Sequence, residues 1–189
     1  YPITPHNSLL KDFKKNNYDI SYYYGCYRDL DRYDKFLKTN EVEKIFIPEQ
    51  GNVDEEIYNL MHENNRWGID DKELFDIVVR DRQSSDNDKP FVDIVMTLST
   101  HEPFIILEGQ EKYEQKAREI FEKANVKNTK EKNIIQKNMN VFACYLYMDE
   151  CINELINSYK RMGKYDNTIF IITGDHRMGM LNTGNVLRS

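Results

Sequence analysis

The sequence lacks the features that mark several large classes of protein. It has no excess of positive charge, since 26 Lys and Arg stand against 32 Asp and Glu and give a net charge of −6. The absence of a basic stripe argues against nucleic-acid binding. No run of about 18 apolar residues and no signal-peptide pattern is present, so the printed residues predict neither a membrane-spanning helix nor a leader.

Cysteine is also scarce, with three residues and no CxxC pair. An odd number without metal-ligand spacing indicates neither a disulfide framework nor a zinc knuckle. Cys144 and Cys151 are seven residues apart on a predicted helix, a spacing that favours packing in a core over chemistry.

The sequence does contain apolar strand patterns that alternate with amphipathic helix patterns. Strands are predicted at ISYYYG (20–25), EKIFIP (43–48), FVDIVMTLST (91–100) and TIFIITG (168–174). Helices are predicted over 6–19, 28–40, 68–82, 111–125 and 134–163, with Asn7 or Ser8 capping the first, an Asp capping the third and Gly163 ending the last. This alternation predicts an α/β fold with a mainly parallel sheet flanked by helices.

Polar clusters follow two of the most apolar predicted strands. Ser99-Thr100-His101-Glu102 comes after Ile94–Leu98, and Thr173-Gly174-Asp175-His176 comes after Ile169–Ile172. Ligands bind beyond the carboxyl ends of the strands in open α/β sheets. If both strands point the same way, His101, Asp175 and His176 lie at one edge of the sheet.

The side chains in these clusters are suited to holding a metal. Carboxylate and neutral imidazole are good ligands for a divalent transition metal such as Zn²⁺ or Mn²⁺. The alternative for Asp175 and His176 is a capped loop with a surface histidine. The alternative for His101 is a loop histidine beside a turn set by Pro103.

The sequence around the two clusters resembles that of a known family. TLSTHEPF (97–104) and YDNTIFIITGDHR (165–177) are similar to signatures of the sulfatase-like branch of the alkaline phosphatase superfamily. The resemblance is strongest to lipoteichoic acid synthases and related phosphoglycerol or phosphoethanolamine transferases. It extends over nearly the whole chain, with support from SLLKDFKKNNYDISYYYG (8–25), RWGIDDKELFD (66–76) and the segment 145–176.

The resemblance implies an alkaline-phosphatase-like fold and a partial domain. Residues 1–189 match the C-terminal portion of one sulfatase-like catalytic domain. In that family a Thr, a Ser or a modified Cys is the nucleophile, and it lies upstream of the matched segment together with an acidic metal ligand. We therefore expect the nucleophile segment to be absent from this chain, and the isolated chain to be inactive.

The resemblance also implies roles for individual residues. Asp175 and His176 match a pair that holds a divalent metal, most often Mn²⁺, with Mg²⁺, Zn²⁺ or Ca²⁺ as alternatives. His101 matches the catalytic histidine and could donate a proton to a phosphoryl oxygen or to the leaving alkoxide.

Two arginines are candidates for substrate binding. Arg32 corresponds to an arginine that holds phosphate in some members, although Leu30 stands where those members have Trp. Arg177 follows the metal pair and could contact substrate. Guanidinium suits phosphate geometry. The alternatives are an exposed helix charge for Arg32 and pairing with a nearby carboxylate for Arg177.

Three functions follow from the resemblance. The first is metal-dependent transfer or hydrolysis of a phosphoryl-linked group on an anionic lipid head group or another phosphodiester. It would take place at the extracytoplasmic face of the membrane, to which segments outside this chain would anchor the parent protein. The second is hydrolysis of a sulfate ester. The third is a non-catalytic module that keeps the fold. None of these has a nucleic-acid partner.

Overall fold

A computed structural model describes residues 6–26, 31–49, 55, 68–85, 89–107 and 109–176. The chain divides into two compact units, Tyr1–Leu98 and Ser99–Ser189. This division concerns packing alone, so a single catalytic domain over 1–189 stays a prediction.

The first unit alternates helices and strands, as the sequence pattern predicts. Its described elements are α1 (Leu9–Lys15), β1 (Asp19–Tyr24), α2 (Asp31–Thr39), β2 (Lys44–Phe46), α3 (Asp71–Ser84) and β3 (Phe91–Met96). The side chain of Ser8 caps α1 by accepting a hydrogen bond from the Lys11 N–H, and Asp70 caps α3 by accepting from the Lys72 N–H at 2.9 Å. Both caps satisfy amides that a helix N-terminus leaves unpaired.

The three described strands form one parallel sheet in the order β2-β1-β3. Ser21 of β1 lies opposite Lys44 of β2 and Asp93 of β3. Parallel strands need crossover connections, and α2 and α3 lie in those connections. The predicted α/β class with a parallel sheet is confirmed.

The central strand β1 is buried on both faces. Tyr23 packs on one face with Leu74 and Val78 of α3, whereas Ile20 and Tyr22 pack on the other face with apolar residues around α2. Successive side chains of a strand point to opposite faces, so the run Ile20–Tyr23 supplies both cores.

A buried ion pair lies in the layer between α3 and the sheet. Arg82 donates two hydrogen bonds to the Asp93 carboxylate, at 2.8 and 2.7 Å, and one to the Ser21 hydroxyl at 3.0 Å. Its guanidinium also lies 4.3 Å from the centre of the Phe91 ring. Burial is the largest single effect and lowers the pKa of Arg82, but the interactions with Asp93 and Tyr23 together outweigh it, so the pKa of Arg82 is raised.

The second unit is helical in its described part. It contains α4 (Glu111–Ala124), α5 (Thr129–Lys137), α6 (Met139–Arg161) and a short 3-10 turn (Tyr165–Asn167). The predicted single helix over 134–163 is interrupted at Asn138, whose side-chain amide donates to the Ile134 carbonyl at 2.7 Å. Such a bond lets the backbone leave the helical path.

Helices α4 and α6 pack through aromatic and apolar side chains. The rings of Tyr113 and Tyr147 meet edge to face with centroids 5.3 Å apart. Cys144 and Cys151 are buried in α6, in agreement with the predicted role in packing. No described helix is long and apolar enough to cross a membrane.

The predicted strand TIFIITG is wrong, because residues 168–174 take part in no sheet of the described chain. Phe170 packs against Tyr159 and Tyr165, while Ile169 and Ile171 are 88% and 84% exposed. Exposure alternates as in a strand only over residues 168–171, because Ile172 is exposed as well. A strand is stable only when a neighbour completes its backbone hydrogen bonds, and no described strand does so here.

We expect Asp93→Asn to lower the free energy of unfolding by about 3 kcal/mol, because it leaves the Arg82 charge buried without its counter-ion. Urea denaturation followed by circular dichroism measures the change. Asp76→Asn is the matched control, since Asp76 pairs with Lys72 on the exposed face of α3. It should cost below about 1 kcal/mol. Equal losses in the two variants would contradict the assigned role of the buried pair.

A second expectation concerns alkaline pH. Burial raises the pKa of Tyr22 to about 12, and Tyr33 adds to the effect. The unfolded chain loses this proton near pH 10, so the stabilising contribution is complete below pH 10 and is lost as pH rises towards 12. Tyr22→Phe should therefore flatten the fall in urea midpoint between pH 10 and 12. Tyr145→Phe, at an exposed ring, controls for the loss of one tyrosine. The same steep fall in both variants would argue against this origin.

Candidate functional site

The carboxyl ends of β1 and β3 are held together by backbone contacts with the start of α3. The Gly25 N–H donates to the Met96 carbonyl at 3.2 Å, and the Ile69 N–H donates to the Gly25 carbonyl at 2.9 Å. A Cβ placed on Gly68 would lie 1.9 Å from the Gly25 oxygen. Only glycine permits this approach, which fixes where α3 begins relative to the strand ends.

Asp71 adds a side-chain contact at the same edge. The residue is fully buried, and its Oδ1 accepts a hydrogen bond from the Leu98 N–H at 2.8 Å. Leu98 follows β3 by two residues and precedes His101 by three. Asp71 therefore determines how the chain leaves β3 before it reaches the segment that carries His101.

His101 lies on an exposed turn of the second unit. Its Nδ1 is 2.7 Å from the carbonyl oxygen of Glu102. A carbonyl can only accept, so Nδ1 carries the proton and donates it. The Phe104 N–H closes the turn by donating to the His101 carbonyl at 3.0 Å. In the neutral ring this arrangement leaves the lone pair on Nε2.

The turn is attached to α6 through Phe104. The Phe104 ring is buried in a cluster with Val141 and Cys144. The Asn140 side-chain amide donates to the Phe104 carbonyl at 3.2 Å, and the Cys144 thiol lies 3.8 Å from the Ile105 carbonyl. The position of the turn that carries His101 thus depends on side chains near the N-terminus of α6.

Asp175 and His176 form a second polar cluster in the same unit. The Asp175 carboxylate accepts a hydrogen bond from the His176 N–H at 2.8 Å, and its other oxygen lies 3.6 Å from His176 Nε2. The two side chains are 68% and 69% exposed. The backbone bond orients the Asp175 carboxylate, and the His176 imidazole lies beside it at the surface.

The spacing of this pair suits two ligands of one metal ion. Metal–ligand distances of about 2.1 Å at a tetrahedral angle place two donor atoms about 3.4 Å apart. The observed 3.6 Å between Asp175 Oδ2 and His176 Nε2 is close to that value. Within the described residues, no group of three or more His, Cys, Asp or Glu side chains could hold a metal. That Asp175 and His176 bind a metal therefore stays a prediction.

The structure brings two of the predicted site residues together and does not show how the others lie relative to them. Asp175 and His176 are adjacent, and His101 is not a third member of a ligand group with them. Their convergence at one sheet edge rested on the strand over 168–174, which does not form, so it stays a prediction. The backbone of Arg32 lies in α2, whereas its side chain and the whole of Arg177 lie outside the described part.

Sequence reasoning missed two residues that hold the chain near His101. Asp71 lies three, four and seven residues before Leu74, Phe75 and Val78, on the buried face of α3. Asn140 similarly precedes the buried Cys144 by four residues in α6. A polar side chain at an apolar position of a helix is the signal that could have identified both.

Comparisons with known proteins agree with the fold. The sequence profile of the sulfatase family matches residues 1–188. The lipoteichoic acid synthase of Staphylococcus saprophyticus is 25% identical over 168 residues, which cover 86% of this chain and 22% of that protein. The chain thus spans about a fifth of the length of that relative.

Two solved structures share the fold. The lipoteichoic acid synthase LtaP from Listeria monocytogenes has a TM-score of 0.53 at 15% identity, covering 83% of this chain and 34% of that one. A protein in the alkaline phosphatase superfamily from Vibrio parahaemolyticus has a TM-score of 0.52 at 19% identity, covering 84% and 32%. With the profile match over residues 1–188, these findings show that the chain belongs to the sulfatase family and has the fold of the alkaline phosphatase superfamily.

Proposed function

We propose that this chain is part of a metal-dependent phosphotransferase of the lipoteichoic acid synthase type. The observation that carries the proposal is the Asp175–His176 pair, with donor atoms 3.6 Å apart, in a chain of the sulfatase family. The substrate is a phosphoglycerol or phosphoethanolamine group on an anionic lipid or another phosphodiester. Segments outside the 189 residues anchor the protein at the extracytoplasmic face of the membrane.

Asp175 and His176 are the residues of this chain that would hold a divalent metal, Mn²⁺ by preference. The bound ion would polarise the phosphate and lower the pKa of the nucleophile. The hydrogen bond from the His176 N–H orients the Asp175 carboxylate before any ion binds. The remaining ligands and the nucleophilic Thr come from outside the described residues.

His101 exchanges a proton with an oxygen of the reacting ester. With Nδ1 donating to the Glu102 carbonyl, Nε2 is the nitrogen that exchanges a proton with a phosphoryl oxygen or the leaving alkoxide. The guanidinium groups of Arg32 and Arg177 bind the remaining phosphate oxygens, for which their planar geometry is suited.

Hydrolysis of a sulfate ester is the second candidate, favoured by the family profile itself. The two activities differ in the nucleophile, which is a Thr for phosphoryl transfer and a modified Cys or Ser for sulfate. The upstream sequence and a comparison of sulfate and phosphate esters as substrates distinguish them.

Titration with Mn²⁺ tests the metal pair in a longer protein that includes the preceding segment, because the remaining ligands lie outside the described residues. Asp175→Asn and His176→Gln should each weaken binding by about tenfold or more, since even an outer-shell partner contributes that much. Isothermal titration calorimetry measures the affinity. Asp166→Asn, at an exposed carboxylate of the same unit, should leave it unchanged. If both ligand variants bind Mn²⁺ as the wild type does, the metal site is wrong and the non-catalytic module is the better reading.

Turnover tests the requirement for an upstream nucleophile. We expect no hydrolysis of a phosphodiester by the 189-residue chain with Mn²⁺, and measurable turnover by a longer protein that includes the preceding segment. In that longer protein His101→Gln should lower kcat by about 100-fold or more, the usual contribution of a general acid or base. Activity of the isolated chain would refute the assignment of the nucleophile to another segment.

A further inference from the structure

We propose that Asn140 is a positioning residue for His101. Its side-chain amide donates a hydrogen bond to the Phe104 carbonyl. This bond keeps the turn closed and keeps His101 Nδ1 hydrogen-bonded to the Glu102 carbonyl. The ring then presents Nε2 as its reacting nitrogen. The catalytic meaning of this arrangement rests on the function proposed above, but the positioning itself can be measured without substrate.

The backbone of the turn requires an external anchor. Phe104 has a φ of +55°, in the left-handed region that is unfavourable for a side chain of its size. Residues are held there only when surrounding contacts compensate. The hydrogen bond from Asn140 acts directly on the Phe104 carbonyl, whose direction changes if the residue returns to an extended conformation.

The orientation of His101 is coupled to that anchor through two bonds. The Phe104 N–H donates to the His101 carbonyl at 3.0 Å, and His101 Nδ1 donates to the Glu102 carbonyl at 2.7 Å. Both bonds lie within the four-residue turn. If Phe104 rotates, its N–H leaves the His101 carbonyl and the peptides between them are released. The Glu102 carbonyl then no longer fixes which ring nitrogen carries the proton.

The packing of Phe104 can be separated from the hydrogen bond. Its ring contacts Val141 and Cys144, whereas Asn140 contacts its carbonyl. Asn140→Asp keeps the size of the side chain but removes the amide donor and sets a carboxylate against a carbonyl oxygen. A carboxylate in the first turn of α6 suits the helix dipole, so the helix remains favourable.

The experiment reads the tautomer of His101 by ¹⁵N NMR of the imidazole ring in the 189-residue chain. Alkaline buffer keeps histidine neutral, and the loss of one signal set in His101→Gln assigns the residue. In the wild type most of the neutral ring should be protonated at Nδ1. In Asn140→Asp that majority should pass to the Nε2-protonated form, which an unconstrained imidazole prefers.

Asn153→Asp is the matched control, because Asn153 is an exposed residue of the same helix. It should leave the His101 tautomer at its wild-type ratio. Backbone amide spectra confirm that α6 is intact, and Asn140→Ala, which also lacks the donor, replaces Asn140→Asp if the latter disturbs the helix.

Two results would overturn the proposal. One is a wild-type ring without a majority of Nδ1 protonation, and the other is an unchanged tautomer in a folded Asn140 variant. Neither measurement uses metal or substrate. The two proposals can therefore fail separately. If the tautomer shifts in the Asn140 variant but the longer protein does not turn over substrate, the proposed function is refuted and the positioning role is established. If the longer protein is active but the tautomer does not shift, the positioning role is refuted and the proposed function stands.

Discussion

The buried carboxylate of Asp71 is the contact on which the carboxyl edge of the first unit depends. It satisfies the Leu98 N–H just where β3 has ended and the sheet can no longer do so. The close approach of Gly68 to Gly25 places the start of α3 at that edge, and therefore places Asp71. A few short contacts thus fix the start of α3, the ends of β1 and β3 and the point at which the chain leaves the sheet. None of these contacts needs a ligand.

Polar groups in this protein fall into two environments with different consequences. Arg82, Asp93 and Ser21 lie under α3, where the two charged side chains are shielded from water and all three residues are joined by hydrogen bonds. Asp175 and His176 are mostly exposed and contact one another. Removing one partner of the buried pair leaves the other charge uncompensated and is strongly destabilising. The exposed pair incurs a much smaller cost of desolvation.

The sequence is informative where a structure depends on local pattern and weak where it depends on a distant partner. Strand β1, the Ser8 and Asp70 caps and the parallel sheet follow from periodicity and capping chemistry. The segment 168–174 has an equally clear strand pattern, yet pairing requires a neighbour that periodicity cannot supply. The roles of Asp71 and Asn140 escaped prediction for the same reason, since each binds a backbone group 27 or 36 residues away. The contact between Asp175 and His176 was predictable because the two residues are adjacent in the sequence.

The exposed isoleucines at residues 169, 171 and 172 carry a consequence for biosynthesis. The stretch Thr168–Thr173 contains no charge and no proline, and it combines β-branched and aromatic side chains. Such hexapeptides readily stack into cross-β assemblies when they meet copies of themselves. A newly synthesised chain therefore exposes an aggregation-prone segment for as long as no neighbouring strand pairs with it.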